Sequence, residues 1–388
     1  MKERERIERM LRGERVDGLP WATRLDIWHK SRQRCGTLPA EFVGVDLMDI
    51  HRRVKLGRQR YAILAKTRLR GVDLTVEVDG QVIRRESHPT LNFPAPNDLA
   101  VGDRPAETMF TFDTPAGRTQ IRYRTNEDLV RAAAVPYLMK HILHDGDDLG
   151  VVTWILEHAE IIPTLGDFLD SEAALGDEGF TIGMLPRIPF QRLLLDFLGE
   201  ERAFYMMADS PKEFHYLLDL LREHNRQMLS VALQSSALVI EYGDNFDGNI
   251  TSPKLFRRYA MPELQEAADR LRQHGRLLGS HMDGDMRPLV DLVPESGVEV
   301  VESFSPEPLS RLGFAEAWRA WQGKALIWGG IPSPIFESHF SEREFEDWMR
   351  GMLELVGPDG RIILGIGDQA VGPTLIERVA RVSAMLGR

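Results

Sequence analysis

Gly275-Arg276-Leu277-Leu278-Gly279-Ser280-His281-Met282-Asp283-Gly284-Asp285 reads as a short buried strand running out into a polar loop. Arg276–Ser280 forms the strand, and Met286–Val293 beyond the loop is apolar at helical spacing, with Pro288 in its first turn. His281 and Asp283, two residues apart at the strand exit, point the same way, past the strand ends. Both closed and open α/β sheets place their chemistry there. Taken alone, a His-x-Asp pair reads first as a helix cap and a solvated loop acid. The rest of the chain has to decide.

Working outward, the same strand-then-helix unit recurs. Strands are expected at Trp21–Leu25, Phe180–Met184, Ala237–Tyr242, Val298–Val301, Ala325–Trp328 and Arg361–Gly365. Helical periodicity marks Pro211–Leu233, Pro253–Gln273, Phe314–Trp321 and Glu342–Leu355. Repetition over this length implies a parallel sheet, and the count suits an α/β TIM-type (β/α)8 barrel; periodicity alone leaves an open doubly wound sheet available. One region breaks the pattern. From about Val72 to Arg124 the residues alternate, with hairpins expected at Asp79-Gly80 and through Pro115-Ala116-Gly117. The organisation expected is a single barrel over 1–388 carrying an antiparallel β insertion at 72–124, which could lid a pocket or build a homodimer interface.

Acids cluster at the strand exits: Glu241-Tyr242-Gly243-Asp244-Asn245, His281 with Asp283, Glu302-Ser303, and Gly367-Asp368-Gln369. Loop acids are common, but acids at four successive exits converge on one mouth if the sheet closes. Arg24 and Asp26 lie at the exit of the first strand. His141 and His144, three apart before an Asp-rich turn, read as a helix C-terminus, and His215 and His224 as solvent-facing helix positions. Gly329-Gly330 and Gly365–Gly367 match neither a dinucleotide nor a P-loop spacing and read as turn glycines.

Bulk composition narrows the class. The chain has 388 residues, 43% hydrophobic and 28% charged, with a net charge of −11, the profile of a globular protein and not of a nucleic-acid binder. No run approaches the roughly 18 apolar residues of a membrane span, and no secretory leader is expected. The one cysteine, Cys35, can build neither an internal disulfide nor a paired thiolate site. A cytoplasmic location is expected.

Several segments together resemble the uroporphyrinogen decarboxylase superfamily. They are Glu8-Arg9-Met10-Leu11-Arg12-Gly13-Glu14 with Leu19-Pro20, Asp244-Asn245 followed by Ser252-Pro253-Lys254-Leu255-Phe256, the His281 loop, and Gly365–Asp368. That superfamily also contains methyltransferases that move methyl groups between corrinoid proteins and thiols. The resemblance implies a TIM-type barrel with its pocket at the C-terminal strand ends. It also exposes departures. Decarboxylases proper carry an Arg-Gln-x-Gly-Arg loop after the first strand and a late His; here stand Arg24-Leu25-Asp26-Ile27-Trp28 and Asp368-Gln369. A substrate with many carboxylates needs several cationic partners, so a genuine uroporphyrinogen decarboxylase is not expected.

In the methyltransferase branch, zinc is held by His-x-Cys, a later acid and a Cys near the last strand. Carried over by resemblance, the metal ligands become His281, Asp283, Glu302 and Asp368, with carboxylates in place of both thiolates. Zinc is the first expectation, and Mn²⁺, Fe²⁺ or Mg²⁺ also suit a one-His, three-carboxylate set. The function expected is a metal-dependent, methyltransferase-like enzyme acting on a small molecule, with a corrinoid carried by a partner protein as the candidate co-reactant. Arg24, Trp28, Tyr242 and Asn245 are the expected substrate contacts, and Asp26, Glu241 and Asp244 the expected acid–base groups. A lyase or hydrolase using a metal-free acid cluster, and a non-catalytic small-molecule binding protein, are the alternatives.

Overall fold

Short strands, most of them rich in β-branched and aromatic residues, build the centre of the computed structural model. The structure describes residues 1–96, 99–358 and 360–388. Eight strands follow one another around a single sheet in chain order. They are β1 (Ala22–Thr23), β2 (Gly57–Ile63), β3 (Gly179–Leu185), β4 (Val239–Tyr242), β5 (Leu277–His281), β6 (Val300–Phe304), β7 (Leu326–Ile331) and β8 (Ile362–Ile366). β1 pairs parallel with β2, and β4 through β8 pair parallel in succession. A parallel bridge between Trp21 and Leu364 brings the last strand back to the first. The sheet is therefore a TIM-type barrel, as the strand-helix repetition anticipates.

Trp328 on β7 packs against Phe180 on β3, with ring centroids 5.5 Å apart, and its Nε1 donates to the Ala22 carbonyl on β1 (3.2 Å). Neither strand neighbours β7, so these contacts cross the barrel interior. Outer helices turn one apolar stripe inward. Phe314–Trp321 buries Phe314, Ala317, Trp318 and Trp321, and Glu342–Val356 buries Phe345, Met349, Met352 and Val356 behind a Ser341/Glu344 capping box. Met286–Val293, expected as a helix, forms only a 3-10 turn at Arg287–Leu289.

By contact the chain divides into two units. One comprises 1–62, 166–184 and 236–388 and holds the barrel; the other comprises 63–165 and 185–235. The second unit contains the antiparallel insertion. Strands Asp73–Val78 and Gln81–Ser87 form the first expected hairpin, with positive φ at both Asp79 and Gly80 as a two-residue turn of that hand requires. Ala106–Thr114 and Gly117–Thr125 form the second. The antiparallel region begins earlier than Val72, because Ala65–Leu69 pairs with the distant strand Ala159–Pro163. A partner so remote in sequence leaves no local hairpin signal.

Two histidine assignments are corrected in this unit. His141 and His144 follow a strand, Tyr137–Lys140, and no helix ends there. His224 is buried, with Nε2 2.8 Å from the Leu156 carbonyl, and does not face solvent. Among the described residues no helix is long and apolar enough to cross a membrane.

Candidate metal and acid–base centre

At the C-terminal strand ends the backbone does something unusual. Asn245, Ser303 and Asp368 have positive φ (54°, 59° and 59°); Asn245 lies in the loop after β4, Ser303 within β6 and Asp368 in the loop after β8. Non-glycine residues in this region are uncommon and concentrate at functional sites. At Ser303 the register of β6 against β7 shifts between Glu302 and Phe304, a local irregularity of the kind that re-aims a side chain.

Glu302 and His281 are register partners across β6 and β5, and His281 Nδ1 lies 2.6 Å from Glu302 Oε2. The other Glu302 oxygen accepts from Gln59 Nε2 (2.6 Å) and from Ser303 Oγ (2.8 Å). Gln59 belongs to β2, on the far side of the barrel from β6, so this bond also runs through the interior. Tyr61, two residues along β2, receives Gln59 Nε2 on its hydroxyl at 3.2 Å. On the outward nitrogen, His281 Nε2 faces Asp283 Oδ2 at 3.6 Å and Asp368 Oδ1 at 4.0 Å. Asn245 fixes that side, donating Nδ2 to both Asp283 oxygens (3.1 and 3.2 Å) and its backbone N–H to the His281 carbonyl (3.0 Å). Arg24 Nη2 donates to Asp368 Oδ1 (2.8 Å) and to the Asp368 carbonyl (3.1 Å), while its guanidinium lies 4.6 Å from the Tyr61 ring centroid.

Glu241 on β4 completes the centre. It is 0% exposed, and neither carboxyl oxygen has a hydrogen-bond partner among the described residues. One ligand atom from each of Glu241, His281 and Glu302 lies within 4.8 Å of the others.

The two buried glutamates are driven in opposite directions. Burial pushes the Glu241 carboxyl well above its ordinary range, and the Glu302 charge adds to that while His281 and Arg24 pull the other way. Burial would raise Glu302 as well, but the His281 charge and hydrogen bond, with Arg24 and Tyr61, hold it below its ordinary value. Burial disfavours the charged form of His281, yet Glu302 and Asp283 raise it well above 6.5. Burial likewise opposes the lowered value of Asp283, and only the hydrogen bond and charge of His281, with the Asn245 and backbone hydrogen bonds, together outweigh it. Without a bound cation, the centre is thus an imidazolium between two carboxylates, beside a glutamic acid that keeps its proton.

The sequence-named residues separate into two groups. Glu241, His281, Asp283, Glu302, Asp368, Arg24 and Asn245 come together as described. Asp244 is buried close by and accepts from Ser280 Oγ (3.0 Å), on the face of β5 opposite His281. Asp26 lies elsewhere: its carboxylate pairs with Arg58 Nη2 at 2.7 Å and is half exposed. Arg58 alternates with the inward Gln59 along β2, so this pair sits outside the barrel interior. Trp28 is buried in the helix Asp26–Cys35, packed edge-on against Phe42 and donating Nε1 to the Thr374 carbonyl (3.1 Å); it is not a pocket wall. Tyr242 follows the inward Glu241 and by alternation points to the opposite face of β4. Gln59, Tyr61 and Ser303 were not anticipated. The available signal was the alternation of Gln59 and Tyr61 with Arg58 and Arg60. Asp26→Ala is expected to cost less than about 1 kcal/mol, as exposed pairs do, and to leave ligand affinity at the centre unchanged in a titration.

Residues 198–384 match the family model for uroporphyrinogen decarboxylase (URO-D). The match covers a little under half of the chain, so that part is similar to the uroporphyrinogen decarboxylase family. The match spans β4 through β8 and therefore Glu241, His281, Glu302 and Asp368. Among solved structures, a methyltransferase from Methanosarcina mazei superposes with a TM-score of 0.57 over 100% of this chain and 98% of its own, at 15% identity. At that identity the likeness is one of fold. No curated protein matches in sequence.

Proposed function

We propose that this chain is a member of the uroporphyrinogen decarboxylase superfamily and a metal-dependent, methyltransferase-like enzyme acting on a small molecule, with Glu241, His281 and Glu302 gathered around a divalent cation and Asp283 and Asp368 on the outward side of the imidazole. The observation that carries this reading is Glu241. Its two oxygens have no hydrogen-bond partner among the described residues and are buried away from solvent, so a proton or a cation is what would satisfy them. A cation binds carboxylate oxygen and imidazole nitrogen at about 2.0–2.2 Å. The donor set is hard, since the lone cysteine, Cys35, is exposed on the helix Asp26–Cys35, which favours zinc with water, manganese, iron or magnesium over a thiolate-type centre.

When bound, the cation would act as a Lewis acid toward an oxygen of substrate or water. The remaining roles belong to the chain. Glu302, held by Gln59 and Ser303, orients the His281 ring through Nδ1. Arg24, braced by Asp368 and Tyr61, anchors one anionic group of the substrate. A single arginine already engaged by an aspartate is a poor match for a polycarboxylate, which supports a substrate other than a porphyrinogen. A corrinoid protein as methyl donor or acceptor belongs to the same proposal; the likeness to the family model and the fold shared with a methyltransferase support it.

Metal content of the chain purified without chelator tests the reading. Near-stoichiometric metal is expected, falling at least about 10-fold in His281→Ala and in Glu241→Gln with the fold retained. A folded chain that carries none and refuses added Zn²⁺ or Mn²⁺ sinks it. The opposed behaviour of Glu241 and Glu302 then favours a second reading, a lyase or hydrolase using a protonated and an ionised carboxyl group side by side. If His281→Ala also left small-molecule binding untouched, a binding protein would remain.

A further inference from the structure

The strand facing Glu241 carries a glycine where the register calls for a side chain. Gly279 on β5 is the direct partner of Glu241 on β4. Its φ lies outside the left-handed region, so the backbone there does not call for glycine. What crowds a side chain there is the acid, with Val239 beside it. A Cβ built on Gly279 would stand 3.1 Å from Glu241 Cβ, 3.1 Å from Val239 Cγ1 and 3.2 Å from Glu241 Oε2. Other barrel glycines have a different reason to be glycine. Gly329 would meet the Phe304 backbone at 3.1 Å and Gly365 the Ala22 carbonyl at 3.1 Å, the ordinary case of close backbone approach. Gly279 instead faces a carboxyl group.

Glu302 and Glu241 are fixed by different means. Glu302 is tethered by His281, Gln59 and Ser303. Glu241 has no hydrogen bond to hold it, so the shape of the space around it is its main constraint. We propose that Gly279 is a positioning residue: its missing side chain leaves the slot in which the Glu241 carboxyl group lies, and so sets that group's distance from His281 and Glu302. The inference rests on the reading of Glu241 as a cation ligand. Ligand distances in such centres are fixed to within about 0.2 Å, and contacts near 3.1 Å can be relieved only by shifts of that order or more.

The test is Gly279→Ala in the full chain, titrated with Co²⁺ alone as a spectroscopic probe. Affinity is expected to fall about 10–100-fold, the range seen when groups that orient ligands are changed, and the visible absorption of bound Co²⁺ to change shape. A role in strand packing alone would move the unfolding midpoint and leave that spectrum as it was. Should Gly279→Ala fail to fold, Val239→Ala with Gly279→Ala removes the aliphatic contact and keeps the one to Glu241; the same loss of affinity is expected. A folded variant that binds Co²⁺ within about 2-fold of the unmodified chain, with the same spectrum, overturns this inference and leaves the metal reading standing. An unmodified chain that binds no Co²⁺ overturns both.

Discussion

Glu302→Ala is expected to destabilise the chain by about 3–5 kcal/mol, the cost of breaking a buried ion pair from one side. Four groups depend on that carboxylate. His281 loses the acceptor at 2.6 Å, and Gln59 and Ser303 lose theirs at 2.6 and 2.8 Å. Tyr61 loses the anion against which its phenol is held, in a place where burial already raises it well above 10.0. Each buried donor left without an acceptor costs about 1–3 kcal/mol, and these costs overlap because one void serves all of them. Glu302→Gln should fall between. Its amide oxygen still accepts, but its NH₂ must face Gln59 or His281, both donors. Urea unfolding of the barrel transition, followed by circular dichroism in chelator, measures the difference. A loss under about 1 kcal/mol for Glu302→Ala would mean that the network contributes no more than a surface pair.

That network also marks where sequence reasoning stopped. Strands β4 to β8 were legible because each is a short apolar run closed by Gly or an acid, as in Ile362–Ile366 before Gly367-Asp368. β2 was not. Gly57-Arg58-Gln59-Arg60-Tyr61-Ala62-Ile63 lacks an apolar run because its inward positions serve Glu302 and not a hydrophobic core. A strand whose interior face is polar for the sake of a site loses the signal by which strands are found. The errors at Asp26 and Tyr242 have a related cause. Each sits one or two residues from a true member of the centre, Arg24 or Glu241. One step along a strand reverses the face, and Asp26 already opens a helix. Acids at strand exits could be gathered from the sequence; which of them carried partners could not, because Gln59 lies 243 residues from Glu302.

Glu241→Leu should act in the opposite sense and stabilise the cation-free chain by about 1–3 kcal/mol, since it replaces an unpartnered buried acid by an apolar side chain of similar size. Glu241→Gln keeps the polar burden and should gain little. The gain in Glu241→Leu should depend on pH with a definite sign. Glu241 has a raised value in the folded chain, so its contribution is fully present below the ordinary 4.5 and is lost as pH climbs through the folded value. His281, also raised, loses its contribution as pH rises above 6.5 toward its own folded value. Glu302 is depressed, and its contribution is lost only as pH falls below 4.5. Between about pH 5 and 8 the advantage of Glu241→Leu should therefore widen, because the parent alone bears the growing cost of holding residue 241 protonated while the unfolded chain ionises it. An advantage that stays flat across that range would mean the Glu241 proton is held no more tightly folded than unfolded. Added Zn²⁺ should reverse the order, stabilising the parent in proportion to ln(1 + [Zn²⁺]/Kd) and leaving Glu241→Leu little changed. The sign reversal separates a carboxyl group kept for a ligand from one kept for the fold: the first kind weakens the empty chain and strengthens the loaded one.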